Sequence, residues 1–341
     1  MIKSINELKN SVNELREKGV QRGNDTGFKC IDELYSIKPG TFTIVQGSPT
    51  HGKSEVLFEF MMNQAHKYGT KGIILSPESG NASEIAMELV HKYLGKNPYR
   101  TSFSPCTDKE FETAINWVDF NFAIADDEEK SYSFKDLVEE ITEHEKKHNC
   151  KFGNVMAEPW NELDHKLVLA DNSGRQDLAI EDELTQLRRY CKKENKHTFL
   201  SFHPSSQSLT KDNQTGISYY EMPKAREAAG GQATLRKAFS WINIWRPPVG
   251  LIDGSTGMPF MDNELFFQVE KSKPKGVGKK GVTKIYFDWQ KNRYFEIIEY
   301  PTIGGQHLYA FDHEKVVISD YVAPIMQPSK SFSEPNEKPL F

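Results

Sequence analysis

From residue 41 onward, short apolar runs alternate with longer amphipathic segments. The runs at 41–47, 71–78, 120–126, 154–160, 197–204, 238–247 and 264–273 read as strands. The segments at 53–68, 83–94, 107–118, 133–148 and 176–195 read as helices; in the first, Val56, Leu57, Phe60, Met61 and Ala65 recur at helical spacing. Near-continuous apolar strands separated by helices predict an α/β fold with a largely parallel sheet covered on both faces. "GVTKIYFDWQKNRYFEI" predicts a C-terminal β-hairpin around "DWQKN". Upstream, Ile5, Leu8, Val12 and Leu15 line one face of a helix over 4–18, which "GVQRGNDTG" interrupts. That stripe needs cover, from its own domain or from a neighbouring subunit. The final stretch, "APIMQPSKSFSEPNEKPLF", is rich in Pro and Ser, and disorder is expected after about residue 323.

The length of 341 residues accommodates one large α/β domain or two smaller ones. A net charge of −5 excludes a global basic field, so any nucleic-acid binding must use a local patch. No apolar run approaches a membrane span, and the N-terminal stretch is too charged for a signal peptide. Cys30, Cys106, Cys150 and Cys191 are scattered without a C-x-x-C pair. This argues against zinc knuckles and disulfide frameworks and for a reducing cytosol.

The chemistry concentrates in "GSPTHGKS", Gly47, Ser48, Pro49, Thr50, His51, Gly52, Lys53 and Ser54. The frame G-x-x-x-x-G-K-[ST] between a strand and a helix is the phosphate-binding loop of nucleoside triphosphatases. Its backbone N–H groups wrap a β-phosphate, Lys53 reaches the β- and γ-phosphates, and the Ser54 hydroxyl ligates Mg²⁺. "ILSPE" ends the second strand at Glu78, at the sheet edge where ligands of open α/β folds sit. A carboxylate there can orient and deprotonate an attacking water, or it can simply neighbour a helix cap. "NVMAEPWNELDH" is an apolar strand closed by Glu158, the form of a Mg²⁺-holding Walker B acid; Glu162 and Asp164 are weaker candidates. "FLSFHP" closes the next strand with His203, a position suited to sensing a γ-phosphate or to capping. Residues 203–237 form a long polar segment with Lys211, Lys224 and Arg226, either a phosphodiester-binding element or a mobile surface loop. "HEKKH" (144–148) matches H-E-x-x-H, but its flanks read as a polar helix end and no third ligand is suggested.

These motifs in this order resemble the RecA-like ATPase domain of ring-shaped replicative helicases of the DnaB and Twinkle type. The resemblance covers about residues 24–297 and looks nearest to Twinkle-like members of phages and mobile elements, through "SPE", "PWNELDH" and "HP". It divides the chain into a linker helix (1–22), an ATPase domain (23–300) and a C-terminal extension (301–341). It implies a P-loop NTPase that binds ATP or another NTP with Mg²⁺ between subunits of a homo-hexamer and moves on single-stranded DNA. Primase and polymerase are the replisome partners implied. Carried over, Glu78 is the catalytic base, Glu158 the Walker B acid and His203 the sensor. The family's trans-acting K-x-R pair falls on Lys271 and Lys273, and its linker helix on residues 4–18. The usual Walker B Asp is Glu here and the finger Arg is Lys, departures that bear on turnover. No primase or zinc-binding module precedes the core, so priming is not expected. Two alternatives stay open: a recombination or regulatory ATPase that binds DNA without unwinding it, and an NTP-binding scaffold of low turnover.

Overall fold

The computed structural model describes residues 2–128, 130–300 and 304–310. In chain order its elements are α1 (Lys9–Lys18), α2 (Lys29–Asp32), β1 (Phe42–Gln46), α3 (Lys53–Tyr68), β2 (Gly72–Leu75), α4 (Ala82–Leu94), α5 (Asp108–Asn121), β3 (Phe122–Ile124), α6 (Phe134–His148), β4 (Asn154–Ala157), α7 (Lys166–Asp171), α8 (Gln176–Glu194) and β5 (His197–Phe202). There follow β6 (Leu209–Lys211), β7 (Ser218–Tyr220), α9 (Gly231–Lys237), β8 (Ser240–Trp245), β9 (Glu264–Lys271), β10 (Gly281–Asp288), β11 (Arg293–Tyr300) and β12 (Gly304–Tyr309). Among the described residues ten strands share one sheet, in the order β12-β11-β10-β9-β8-β1-β5-β4-β2-β3. Neighbours from β8 to β3 are parallel. Neighbours from β8 to β12 are antiparallel.

The apolar runs are continuous because both faces of the parallel half are buried. On one face Val45, Ile74, Met156 and Phe199 pack against α3 through Val56, Leu57, Phe60 and Met61. Their strand neighbours Ile44, Leu75, Val155 and Leu200 turn to the other face and meet Leu137 and Ile141 of α6 and Leu184 and Leu187 of α8. Helix starts follow local chemistry: Asn81 with Glu84, Thr107 with Glu110 and Ser133 with Asp136 form capping boxes that satisfy two orphan donors each.

The expected terminal hairpin is β10–β11, closing at Asp288 opposite Arg293. The sheet does not stop at residue 300, since β12 pairs with β11 from Tyr300↔Gly304 to Phe295↔Tyr309. The disorder expected after residue 323 lies outside the described residues. The polar segment 203–237 is not simply a loop. It holds a β6–β7 hairpin and the short helix α9, with the hairpin tip fixed by the Asp212 carboxylate, which accepts from Gln214 N–H at 3.1 Å and from Thr215 N–H and hydroxyl at 2.6 and 2.7 Å. The amphipathic stripe that leads into α1 is little covered by the described residues: Ile5, Val12 and Leu15 are 75 %, 48 % and 55 % exposed, and Leu8 is partly buried.

Buried charge ties the antiparallel half to α3. Glu59 of α3, fully buried, accepts from Arg293 Nε at 2.8 and 3.0 Å and from the Tyr294 N–H at 3.1 Å. Lys92 of α4, also fully buried, reaches Glu55 at 2.6 Å and donates to the Asn292 carbonyl at 2.9 Å. Opposite charge and hydrogen bonds satisfy these ions where water cannot, so removing either partner leaves an uncompensated charge.

His197, buried at the start of β5, sets a pH dependence. Its Nδ1–H donates to the Lys38 carbonyl at 2.9 Å, which leaves Nε2 to accept from the Thr43 hydroxyl at 3.1 Å. Burial lowers its pKa from the ordinary 6.5 to about 4. Between those values the unfolded chain binds a proton that the folded chain excludes, so stability falls as pH drops through that window. Going from pH 7 to pH 5 should cost on the order of 2 kcal/mol from this group alone. Urea unfolding at the two pH values measures the cost, and His197→Gln should flatten the difference.

Candidate active site

β1 lies between β5 and β8, and its carboxyl end runs into the phosphate loop. Gly47 donates its N–H to the Phe202 carbonyl at 3.3 Å and leaves no room for a side chain, since a Cβ there would meet the Ile244 carbonyl at 2.9 Å. The loop turns into α3 at Gly52, whose φ of 83° lies in the left-handed region. The free N–H groups of the first turn of α3 therefore face the loop, and with the helix dipole they favour an anion there.

Three neighbouring strands bring their carboxyl ends to the same place, because β1, β5, β4 and β2 are consecutive in the sheet. Lys53, only 6 % exposed, points its ammonium at the Ser48 carbonyl and at His203 Nδ1, both at 3.3 Å. An ammonium only donates, so Nδ1 is the acceptor and His203 carries its proton on Nε2. That N–H faces Glu78, 3.1 and 3.3 Å from its two oxygens. Glu78 sits on a one-turn helix, Pro77–Ser79, and its carboxylate is about half exposed. Glu158 is buried at the end of β4. Its Oε1 accepts from the Ser76 hydroxyl at 3.0 Å, while Oε2 is buried without a hydrogen-bond partner among the described residues.

The electrostatics follow from burial. Desolvation lowers the Lys53 pKa, and Glu158 and Glu78 oppose that shift. Desolvation raises the Glu158 pKa against the pull of the Ser54 hydroxyl and the Lys53 charge. An unpartnered buried carboxylate oxygen beside a serine hydroxyl is a hard-oxygen donor set, which fits Mg²⁺.

The sequence reading missed a second group on the other side of the loop. The Arg246 N–H, just after β8, donates to His51 Nδ1 at 3.3 Å, and its guanidinium donates to the Tyr294 hydroxyl at 3.2 Å. Burial, then Lys53 and Arg246, lower the His51 pKa to about 4, so the imidazole is neutral at ordinary pH. Trp289, on the β10–β11 turn, lies 5.7 Å from the Arg246 guanidinium and is 59 % exposed. A planar cation and an open indole beside a phosphate loop form a surface on which a flat ring can stack. The only sequence signal was an exposed aromatic in a turn, "DWQKN".

Other predicted residues lie elsewhere. Lys271 pairs with Trp241 in the amino-terminal half of β8, and its ammonium donates to the Leu235 and Arg236 carbonyls. Burial, then Lys273 and Arg188, lower its pKa to about 8. Lys271 and Lys273 line a basic cavity of about 490 Å³ with Lys275, Lys279 and Lys280, apart from Lys53. Lys211 lies on β6, whereas Lys224 and Arg226 lie at a one-turn helix, Ala225–Glu227. The Asp164 carboxylate accepts the Lys166 N–H at 2.9 Å, a local turn. Within "HEKKH", Glu145 pairs with the buried Lys196 and accepts the Phe152 N–H at 2.8 Å, a structural use.

No family model matches the chain. It is 28 % identical over 195 residues to a Twinkle homolog protein, chloroplastic/mitochondrial, of Arabidopsis thaliana, covering 55 % of this chain and 26 % of that protein. The chain therefore spans about a quarter of the length of that relative. Its fold matches the ATPase domain of G40P with a TM-score of 0.65 at 16 % identity, over 86 % of this chain and 99 % of that one. It also matches a DnaB-like replicative helicase, described with its interactions with primase, at a TM-score of 0.64 and 15 % identity, over 86 % and 67 % of the two chains. The domain is similar, in sequence and in fold, to the DnaB/Twinkle type of helicase ATPase domain. Its fold is RecA-like, as the resemblance implied, with the largely parallel sheet expected from the strand and helix pattern. Among the described residues, no helix is long and apolar enough to cross a membrane.

The loop geometry yields a paired prediction. Gly52 and Gly69 both adopt positive φ, but a Cβ on Gly52 would lie 2.5 Å from the buried Tyr294 hydroxyl, whereas one on Gly69 meets nothing within 4 Å. Gly69→Ala should cost about 1 kcal/mol from backbone strain alone. Gly52→Ala should cost about 1–3 kcal/mol more, because Tyr294 must also move. Equal shifts in urea midpoint would mean that the loop does not hold Gly52 against Tyr294.

Proposed function

We propose that this chain is the NTP-driven motor of a replicative DNA helicase, working as a ring on single-stranded DNA. The observation that carries this reading is the meeting of Lys53, His203, Glu78 and Glu158 at the carboxyl ends of four adjacent strands beside a phosphate loop. The likeness to the Twinkle homolog supports it.

In this mechanism the loop from Gly47 to Ser54 binds the phosphates, and Lys53 neutralises charge that develops on the transferred group. Ser54 and Glu158 would hold Mg²⁺, which when bound screens the phosphate oxygens. Glu78 orients a water for attack on the γ-phosphorus and accepts its proton; its half-exposed carboxylate has the access to water that Glu158 lacks. His203, between Lys53 and Glu78, reports whether the γ-phosphate is present. Arg246 and Trp289 flank the base.

The ring rests on two features. The exposed stripe of α1 supports docking onto an adjacent subunit. Lys271 and Lys273 lie apart from their own loop, which supports a role for them at a neighbour's γ-phosphate. Lys211, Lys224 and Arg226 are the proposed DNA contacts, and primase and polymerase are proposed partners. The cytoplasm of a bacterium or of a phage-infected cell is the proposed location.

The deciding measurement is NTP hydrolysis with and without oligo-dT. Hydrolysis should rise with oligo-dT and be abolished by Lys53→Ala. Glu78→Gln should keep nucleotide binding and slow turnover by about 10²–10⁴-fold, the usual worth of a general base. If Glu158→Gln rather than Glu78→Gln stops turnover with binding intact, the roles of the two carboxylates are exchanged.

A subunit-mixing experiment tests the interface. Lys273→Ala subunits keep an intact loop, and Lys53→Ala subunits keep an intact Lys273. Mixtures of the two inactive proteins should regain hydrolysis at mixed interfaces. A Lys273→Ala protein that is fully active alone would rule out the trans role. A single lysine charge lacks the planar fork of an arginine, so Lys273→Arg should raise turnover.

A further inference from the structure

The phosphate loop is bonded directly to the base of the β6–β7 hairpin through one side chain, Gln207. The Ser48 hydroxyl donates to Gln207 Oε1 at 2.8 Å, and Gln207 Nε2 donates to the Glu221 carbonyl at 3.1 Å. The Glu221 carbonyl can only accept, which fixes the amide with its NH₂ towards the hairpin and its oxygen towards the loop. Glu221 follows β7 directly, and its carboxylate accepts from the Thr210 hydroxyl of β6 at 3.3 Å. Both hairpin strands thus hang from the residue that Gln207 holds.

A second tie runs to the other side of the same loop. Trp245 Nε1 donates to the Tyr220 carbonyl at 2.7 Å, and the next residue, Arg246, bonds His51. Beneath the hairpin, Ile217 and Tyr219 rest on a small apolar cluster of their own, built around Trp245, Phe260 and Phe266. The hairpin is therefore seated by a few contacts, two of which lead to the phosphate loop.

The loop end of this chain of bonds must respond to an incoming phosphate. The Ser48 carbonyl is one of two acceptors for the Lys53 ammonium. A phosphate group is a stronger acceptor for that charge, so its arrival changes the contact that holds Ser48. Ser48 is only 7 % exposed, and its hydroxyl is already committed to Gln207. Gln207, a planar amide bonded at both ends, is the direct link from Ser48 to the hairpin.

We propose that Gln207 is a positioning residue that couples nucleotide occupancy of the phosphate loop to the seating of the β6–β7 hairpin. The inference rests on the nucleotide-binding reading above and adds the residue that carries the coupling. It does not require Gln207 to touch nucleotide, metal or DNA.

Hydrogen–deuterium exchange of the full chain, with and without a non-hydrolysable ATP analogue and Mg²⁺, tests it in the parent protein, Gln207→Ala and Gln207→Glu. In the parent, the analogue should protect amides of 48–54 and change exchange of the 209–221 amides by about fivefold, the lower end of ordinary coupling between sites. Both variants should keep the first response and lose the second; Gln207→Glu retains an acceptor for Ser48 but no donor for Glu221. A merely structural role would speed hairpin exchange equally in both states and preserve the nucleotide-dependent ratio. Retention of that ratio in the variants overturns the proposal, as does a parent hairpin indifferent to the analogue while the loop responds. If the parent loop itself gives no response, nucleotide binding fails first and the coupling falls with it, an outcome separated from the others by where the change is missing.

Discussion

A lysine ammonium taken out of water governs the arrangement around the phosphate loop. Lys53 is 6 % exposed, and two carboxylates, Glu158 and Glu78, offset part of its desolvation. Neither carboxylate belongs to its own strand–helix unit. They reach it because β1, β5, β4 and β2 are consecutive parallel neighbours, so the turns after them converge. The strand order is thus more than an architectural label. It brings negative charge to a buried cation and leaves a place for a phosphate to supply more.

Glu158 stands where the proposed function expects a shorter carboxylate. An Asp is the usual Walker B acid, and Glu is one methylene longer. At the end of β4 its Oε1 accepts from the hydroxyl of Ser76, the residue after β2. The second oxygen stays buried near Ser54 without a committed partner among the described residues. A buried carboxylate beside a serine hydroxyl is a pair of hard oxygen donors, the kind that suits Mg²⁺.

The parallel half of the sheet was legible in the sequence because its signals are local and strong. Apolar runs of four to six residues mark β1, β2, β4, β5 and β8, and the phosphate loop, Glu78, Glu158 and His203 all fall at strand ends. The hairpin β6–β7 was not legible. Its strands have three residues each, show no apolar run, and are held by side chains outside them, Gln207 just before β6 and the more distant Trp245. Arg246 and Trp289 were missed for a related reason. They are far apart in sequence and meet only because β8, β9 and β10 pair antiparallel. The helix at α1 was legible from its periodic stripe, and Ile5, Val12 and Leu15 of that stripe lie largely exposed.

The two halves of the sheet therefore carry different burdens. The parallel half carries the phosphate-loop motif and the charged side chains gathered beside it. The antiparallel half brings Tyr294 and Trp289 to the opposite flank of the loop, and it could do so loosely if only sheet hydrogen bonds held it. The Glu59–Arg293 pair removes that freedom. Glu59 sits on α3, the helix that starts at Lys53, and Arg293 directly precedes Tyr294. Both ions are buried, so neither can leave the other without a large desolvation penalty. The helix that begins at Lys53 and the strand that carries Tyr294 are thereby tied to each other by this ion pair, the Tyr294 N–H bond to Glu59 and the Lys92 contacts with Glu55 and the Asn292 carbonyl. The apolar core beneath them does not need to specify that register by itself.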